Sequence, residues 1–237
     1  MPNTAMSPTS LTETTYLRLR QDLLNGALWP DERLKVNELA SRYEASLGAV
    51  REALARLSAE GLVIAQPQRG FRVAPISRAD LQDLTMVRCR IEEMCLRRAI
   101  EIGDIAWESG IVAAFHRLSK STPSNARAEW GKGANSADDD WDHGHAIFHA
   151  ALVAACDSPW LLRLREQLYA QSHRYQRLSL SMTSPRRDSQ REHAELMDAV
   201  LRRDQDLAAK LMLEHLRRTA EIVMEALNME WTDAMVR

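Results

Sequence analysis

The residues of this sequence best suited to chemistry are four histidines. His145 and His149 lie four positions apart, so a helix would place both rings on one face, within reach of one metal ion. His193 and His215 lie on two later segments with helical spacing, and an antiparallel bundle could bring all four rings together in its interior. Neutral imidazoles suit a borderline divalent ion and can leave one coordination position open for a ligand. The spacing therefore predicts a metal site, with Zn²⁺ or Ni²⁺ as the first candidates.

The same histidines admit less specific interpretations. Two histidines at this spacing are, by themselves, more often ordinary surface residues than metal ligands. A metal-dependent hydrolase is a second possibility, but no His-Glu-x-x-His run occurs, and Glu192 is the only obvious candidate for a general base. His116, His143 and His173 lie outside the spacing, and we expect them to be ordinary, with His143 exposed to solvent.

Length and composition limit the class of protein. The chain has 237 residues, of which 45% are hydrophobic and 27% are charged, which allows two globular domains. Because the net charge is −2, a protein that reads DNA would have to rely on a local basic patch. The three cysteines form no Cys-x-x-Cys pair and are expected to be free thiols in a reducing compartment. With no apolar run of about 18 residues and no signal peptide, we expect a cytoplasmic protein without a membrane partner.

The first third of the chain predicts a winged helix-turn-helix domain. After a flexible leader at 1–11, apolar spacing indicates three helices at about 12–25, 36–43 and 47–60. Two short β-rich runs, LVIAQ and FRVAP, then flank the turn PQRG in the pattern of a hairpin. Three helices followed by a two-stranded wing define this fold, and we place the domain at 12–75.

The rest of the chain predicts an all-α bundle, so that the fold class is mainly α. Beyond a hinge at 75–77, the apolar spacing is helical throughout the second domain, which we place at 76–229, with a tail at 230–237. The stretch 121–140 is rich in Ser, Asn, Gly and Asp and is expected to be a loop or a frayed helix. The predicted helices span 78–102, 105–119, 138–156, 159–182, 186–202 and 205–228.

A helix-turn-helix places the start of its second helix in the major groove of DNA. Ser46 would cap that helix and can reach a phosphate, and Arg51 lies just over one turn in, where it can bind guanine or phosphate. Arg56 is expected to meet the DNA backbone or an acidic neighbour. A winged helix used only for protein contacts is the alternative. The predicted DNA-binding residues are Ser46, Gly48, Arg51 and, at the wing tip, Arg69 and Gly70.

These motifs carry a family resemblance. The run LLNGALWPDERLKVNELASRYEASLGAVREALARLSAEGLVIAQPQRGFRVAPIS resembles the DNA-binding domain of the GntR family of bacterial transcription regulators. Arg51 matches the family pattern, whereas Asp31 replaces the usual Gly, and Leu47 stands where many members have an arginine that contacts DNA. Gly48 and Ala49 replace the usual polar residue and proline. The family's operator consensus therefore cannot be assumed for this chain.

Residues 78–228 are similar to the all-helical FCD ligand-binding domain of the FadR subgroup, on the segments RADLQDLTMVRCRIEEM, FHAALVAACDSPWL and EHAELMDAVLRRD. In metal-binding members, one aspartate and three histidines hold the ion. The three histidines correspond to His149, His193 and His215, and His145 occupies the aspartate position, which implies a four-histidine site or one that has lost a ligand. The resemblance implies that Arg88 binds the effector, with Arg174 as a second candidate. An interhelical salt bridge is the alternative for each arginine.

The resemblance implies a ligand-responsive transcription regulator that binds a palindromic DNA operator as a homodimer, and a repressor is favoured. The segment DDDWDHGHAIFHAALVAACDSPWLLRLREQLY is also similar to glutarate-responsive members of the family. The implied effector is therefore a small organic acid, first of all a dicarboxylate such as glutarate, coordinated to the metal. A DNA-binding activator with a purely structural metal and no effector remains an alternative.

Overall fold

The computed structural model describes residues 10–121, 136–179 and 188–234, with side chains at 10–121, 140–177 and 188–225. The chain divides into two compact units, Met1–Ile76 and Ser77–Arg237. Most of the predicted leader, residues 1–9, lies outside the described residues, as do 122–135 within the predicted loop and 235–237 within the predicted tail. Each unit is described by itself.

The first unit is the predicted winged helix-turn-helix. Its elements are α1 (Leu11–Leu24), β1 (Arg33–Leu34), α2 (Val36–Tyr43), α3 (Leu47–Ala59), β2 (Val63–Gln66) and β3 (Gly70–Val73). The strands form an antiparallel sheet in the order β1-β3-β2, with Arg33 opposite Arg72 and Ala65 opposite Phe71. The sequence pattern missed β1, because a two-residue strand is too short to show the alternation that identifies longer strands.

Local residue chemistry fixes the boundaries of the helix-turn-helix. Ser46 caps α3 by accepting a hydrogen bond from the Ala49 backbone N–H at 3.1 Å. Glu44 takes a left-handed conformation, φ 53°, which ends α2 and turns the chain toward α3. Leu54 and Leu57 on α3 are fully buried with Leu19 of α1, so the face of α3 that carries Arg51 is left to solvent.

The second unit is helical over its described residues, and the fold class is confirmed. The predicted and observed helices differ mainly at their ends: α6 begins at Ser136, inside the predicted loop, and α9 continues to Ala234, inside the predicted tail. Such shifts are expected because periodicity locates a helix better than its termini. The helices are α4 (Arg78–Ile102), α5 (Ile105–Leu118), α6 (Ser136–Leu152), α7 (Pro159–Ser179), α8 (Ser189–Leu201) and α9 (Gln205–Ala234).

The packing of this bundle positions α6. Helix α4 packs against α7 and α9, α5 packs against α6, and α8 packs against α9. Phe148 and Leu152 of α6 are fully buried in the same apolar core as Leu196 of α8. At the end of α6, the indole N–H of Trp107 donates to the Ala151 carbonyl at 2.9 Å. The core therefore holds the face of α6 that bears Phe148 toward α8.

The structure also bears on two expectations from the sequence, that the cysteines are free thiols and that no helix spans a membrane. Cys89, Cys95 and Cys156 are free thiols, and all three are buried. In the part of the chain that the structure describes, no helix combines the length and the apolar character needed to cross a membrane.

Candidate metal centre

Four histidines from three helices meet in the interior of the second unit. One ligating nitrogen from each of His145, His149, His193 and His215 lies within 4.8 Å of the others. His149 and His193 are 0% and 1% exposed, and the other two rings are also buried. The Nε2 atoms of His145 and His149 are 3.1 Å apart. The structure thus brings together the four residues that the sequence singled out.

The chemistry of this donor set fits a divalent ion. In a tetrahedral zinc site, Zn–N bonds of about 2.0–2.1 Å place neighbouring ligand nitrogens roughly 3.3 Å apart. The 3.1 Å separation of the His145 and His149 nitrogens is close to that spacing. Burial, followed by the neighbouring histidines, lowers the pKa of His145 and of His149 well below 6.5. Both rings are therefore neutral near neutral pH, which is the form that binds metals.

Neighbouring side chains orient two of the rings. The Nδ1 atom of His215 lies 3.0 Å from Glu192 Oε2, and Arg218 donates to the other oxygen of Glu192 at 2.8 Å. A carboxylate on one ring nitrogen fixes the tautomer and leaves the opposite nitrogen for a metal. Trp141 stacks on His145, with ring centroids 4.8 Å apart. Glu192, the candidate general base of the hydrolase alternative, is thus paired with His215 and Arg218.

Arg88 lies close to the histidines in the bundle interior. Its side chain donates through Nη1 to Ser172 Oγ at 2.8 Å, and its Nε lies 3.6 Å from Glu92 Oε1. Its charge contributes to the lowered pKa of both His145 and His149. Burial in turn lowers the pKa of Arg88 itself. Its role in binding an effector stays a prediction.

Arg174 has different neighbours. Its Nη1 donates to Gln171 Oε1 at 3.0 Å. Burial lowers the pKa of Arg174, and the negative charges of Tyr175 and Asp80 act in the opposite direction. None of these residues belongs to the histidine cluster. Among the other histidines, His116 and His143 are exposed, and His173 lies 3.6 Å from Asp142.

Sequence reasoning missed the residues that surround Arg88. Glu92 follows Arg88 by one helical turn, and Arg165 of α7 donates Nε to Glu92 Oε2 at 2.9 Å. Tyr169 lies one turn after Arg165, near both guanidinium groups. The Arg88–Glu92 spacing is visible in the sequence as an i,i+4 pair, but the approach of α7 to α4 is not.

The first unit presents a separate set of exposed residues. Ser46, Gly48 and Arg51 are exposed at the start of α3, and Arg51 makes no hydrogen bond or ion pair with residues at the described positions. Arg56 instead pairs with Glu13, Nη1 to Oε2, at 2.6 Å and lies over the ring of Tyr16. Of the two partners expected for Arg56, the structure has the acidic neighbour.

The wing tip has the predicted turn chemistry. Arg69 is exposed in the turn between β2 and β3, and its backbone N–H donates to Gln66 O at 3.0 Å. Gly70 has φ 88°, a conformation that only glycine adopts readily. Arg69 is therefore held at the end of a tight hairpin, available to a partner molecule.

Two family models match the chain. Residues 11–73 match the model described as bacterial regulatory proteins, gntR family, and residues 83–218 match the FCD domain. The chain is 38% identical to the HTH-type transcriptional regulator BphR of Paraburkholderia xenovorans, over 91% of this chain and 86% of that protein. It is 37% identical to the HTH-type transcriptional repressor GlaR of Escherichia coli, over 90% of this chain and 95% of that protein.

A solved structure has the same fold. The structure of E. coli McbR/YncC aligns with a TM-score of 0.74 and 21% identity, over 91% of this chain and 98% of that one. Both matched families and the curated relatives are transcription regulators rather than enzymes, which confirms the prediction that the chain is not an enzyme. The hydrolase alternative is therefore not supported.

Proposed function

This chain belongs to the GntR family of bacterial transcription regulators and carries an FCD domain, and we propose that it is a metal-dependent, acid-responsive repressor. A homodimer binds a palindromic operator in the cytoplasm through its two winged heads. A small carboxylate that binds at a metal held by His145, His149, His193 and His215 then releases the operator. The relative GlaR is a repressor by its name, which supports the direction of regulation.

The observation that carries this proposal is the buried histidine cluster in the FCD domain. Four buried imidazoles whose ligating nitrogens lie within 4.8 Å of one another would be an unfavourable arrangement in a core with no ion, because each buried ring nitrogen needs a partner. The Nδ1 atom of His149 has no hydrogen-bond partner among the described side chains and backbone. A divalent ion held by the four rings would bind a carboxylate by taking it as a fifth ligand.

To release the operator, the effector must bind the two states of the regulator with different affinities. An effector shifts a regulator only if it binds the DNA-free state better than the DNA-bound state. Glutarate is the first candidate, with 2-hydroxyglutarate and succinate next, and we expect the true effector to lower operator affinity by about five- to a hundredfold. Within the effector domain, Arg88 is the residue we assign to the carboxylate, because it is buried beside the histidines.

Exposed apolar side chains support the homodimer. Met86 and Met94 of α4 are 60% and 52% exposed, and Trp160 and Leu164 of α7 are 71% and 42% exposed. Each pair lies within one or two turns on its helix, and α4 packs against α7, so that apolar groups collect on neighbouring helices. A second copy of the chain would cover them, and light scattering with Met94→Glu tests this assignment.

Elemental analysis of protein purified without chelator tests the metal. We expect about one zinc or nickel per chain, lost in His149→Ala and retained in His143→Ala, whose ring is exposed. A thermal-shift screen of small acids, repeated after chelation, tests the effector. Full metal occupancy in the double variant His149→Ala/His193→Ala would refute the four-histidine site. If none of the acids changes the affinity for the operator, a purely structural metal is favoured instead.

A further inference from the structure

The interface between α4 and α7 buries more positive than negative charge. Arg88 and Arg165 are 3% and 7% exposed, and the carboxylate between them, Glu92, is fully buried. Arg165 donates to one oxygen of Glu92 at 2.9 Å, and Arg88 Nε lies 3.6 Å from the other. Guanidinium groups stay protonated inside proteins, and a buried charge is costly unless it is paired. One carboxylate cannot neutralise two guanidinium groups, so one buried positive charge remains beyond what Glu92 can offset.

Polar atoms at the same place lack protein partners. The guanidinium carbons of Arg88 and Arg165 lie 5.1 and 5.7 Å from the ring centroid of Tyr169. The hydroxyl of Tyr169 and Nη2 of Arg165 are buried and have no hydrogen-bond partner among the described residues, whereas Nε of Arg88 and Oε1 of Glu92, which also form no hydrogen bond, face each other at 3.6 Å. Buried polar atoms in folded proteins are nearly always paired. Arg88 Nε already faces Glu92 Oε1, so the Tyr169 hydroxyl, Arg165 Nη2 and the excess positive charge are what a further carboxylate would satisfy.

This point lies beside the histidine cluster. Tyr169 stacks on His173, with ring centroids 6.1 Å apart, and Nε2 of His173 lies 3.6 Å from Asp142 of α6, one turn before His145. Arg88 donates to Ser172 of α7, one turn after Tyr169, at 2.8 Å. Neighbouring turns of α6 and α7 therefore connect the interface to the histidine cluster.

We propose that Arg165 and Tyr169 bind, together with Arg88, the second carboxylate of a dicarboxylate effector whose first carboxylate lies at the histidine cluster. This inference rests on the proposed function and specifies the effector class. A monocarboxylate satisfies the histidine end alone and leaves the Tyr169 hydroxyl, Arg165 Nη2 and the excess charge as they are. Arg165 and Tyr169 then set the preference for a diacid.

Isothermal titration calorimetry on the zinc-loaded full chain tests the subsite, with glutarate and pentanoate as probes. Pentanoate keeps the five carbons of glutarate and lacks one carboxylate. In Tyr169→Phe, we expect glutarate to bind about tenfold more weakly or worse, because a hydrogen bond to a charged group is lost, while pentanoate binding is unchanged. The ligand-free melting temperature should not fall, because the hydroxyl has no protein partner to lose.

Tyr175→Phe is the matched control on the same helix. The hydroxyl of Tyr175 bonds Asp80 Oδ2 at 2.5 Å and accepts from the Ser77 backbone N–H at 3.1 Å, so its removal should lower the ligand-free melting temperature. The preference for glutarate over pentanoate should survive in this control. Arg165→Met leaves Glu92 paired with Arg88 alone, and in that variant the preference should be nearly abolished.

The outcomes separate the subsite from the metal. An unchanged preference in both Tyr169→Phe and Arg165→Met overturns the subsite, and so does equal weakening of the two acids. Failure of glutarate, succinate and adipate to bind the zinc-loaded wild type overturns the dicarboxylate class. If glutarate still binds after chelation and Tyr169→Phe still weakens it, the metal role fails and the subsite stands. If glutarate binding needs zinc but is the same in Tyr169→Phe and Arg165→Met as in the wild type, the metal role stands and the subsite fails.

Discussion

Acidification should destabilise the effector domain of the metal-free protein. An unfolded histidine takes up a proton near pH 6.5, whereas burial and neighbouring histidines hold the pKa of His145 and His149 well below that value in the fold. The unfolded chain therefore binds more protons as the pH falls, and the free energy of unfolding falls with it. Stability associated with these two rings is present above about pH 6.5 and is lost as the pH falls below it.

The size of the loss follows from linkage. Between about pH 7 and pH 5.5, one ring that stays neutral in the fold costs about 1.2 kcal/mol of unfolding free energy, so that two rings cost at most about 2.5 kcal/mol. For a chain of this size, that loss corresponds to a fall in melting temperature of roughly 5–10 °C. The winged head has no histidine, since none precedes His116, so the effect belongs to the second unit.

Urea unfolding of chelated protein at a series of pH values measures this loss. The double variant His145→Gln/His149→Gln keeps polar side chains but removes both titrations, so that its difference from wild type cancels the contribution of the carboxylates. His143→Gln, at an exposed position, should follow the wild type. If the free energy of unfolding changes equally with pH in the wild type and in the double variant between pH 7 and pH 5.5, the reasoning that burial keeps these rings neutral is refuted.

Further predictions concern the DNA-binding surface and one tight contact. Arg51→Ala should weaken operator binding by about 1–3 kcal/mol if the exposed guanidinium reads a base, and unchanged anisotropy titrations would remove it from the contact set. Arg69→Ala should flatten the dependence of log Kd on log salt by about one, and an unaltered slope would exclude a phosphate contact. Gly103→Ala should cost about 1–3 kcal/mol, because its Cβ would overlap the buried ring of Trp107. Gly110→Ala, with open space around the new methyl group, should instead stabilise α5 slightly; equal melting temperatures for the two variants would contradict the overlap.

The sequence could predict the helices and the histidine cluster because both depend on local spacing. The four-residue interval of His145 and His149 places two ligands on one face of any helix, whatever the helix packs against. The EH pair at Glu192–His193 and the EHL run at Glu214–His215–Leu216 carried the other two ligands through family resemblance. The structure then brings these nitrogens within 4.8 Å, which requires only that α8 and α9 pack beside α6.

The arginine assignments depended on information that spacing does not contain. Arg165, Arg174 and Arg177 all lie on α7 and are all buried, so no property of the sequence ranks one above another. The register of α7 against its neighbours makes the difference: Arg165 meets Glu92 of α4, and Arg177 meets Asp142 of α6 at 2.7 Å. Strand β1 was missed for a related reason, because its two residues are strand only through pairing with β3.

A histidine at position 145 would change the charge that the proposed effector must supply. In the proposed site, an aspartate at this position would neutralise one charge of the ion, whereas four neutral imidazoles leave both charges in place. The adjoining interface between Arg88, Arg165 and Glu92 carries a further positive charge. Electrostatics then favour a dianion over a monoanion at two places along one ligand, and His145→Asp should narrow that preference. The expected result of that substitution is a smaller ratio of glutarate to pentanoate affinity with the metal retained, and an unchanged or larger ratio would show that the charge of the fourth ligand does not select the effector.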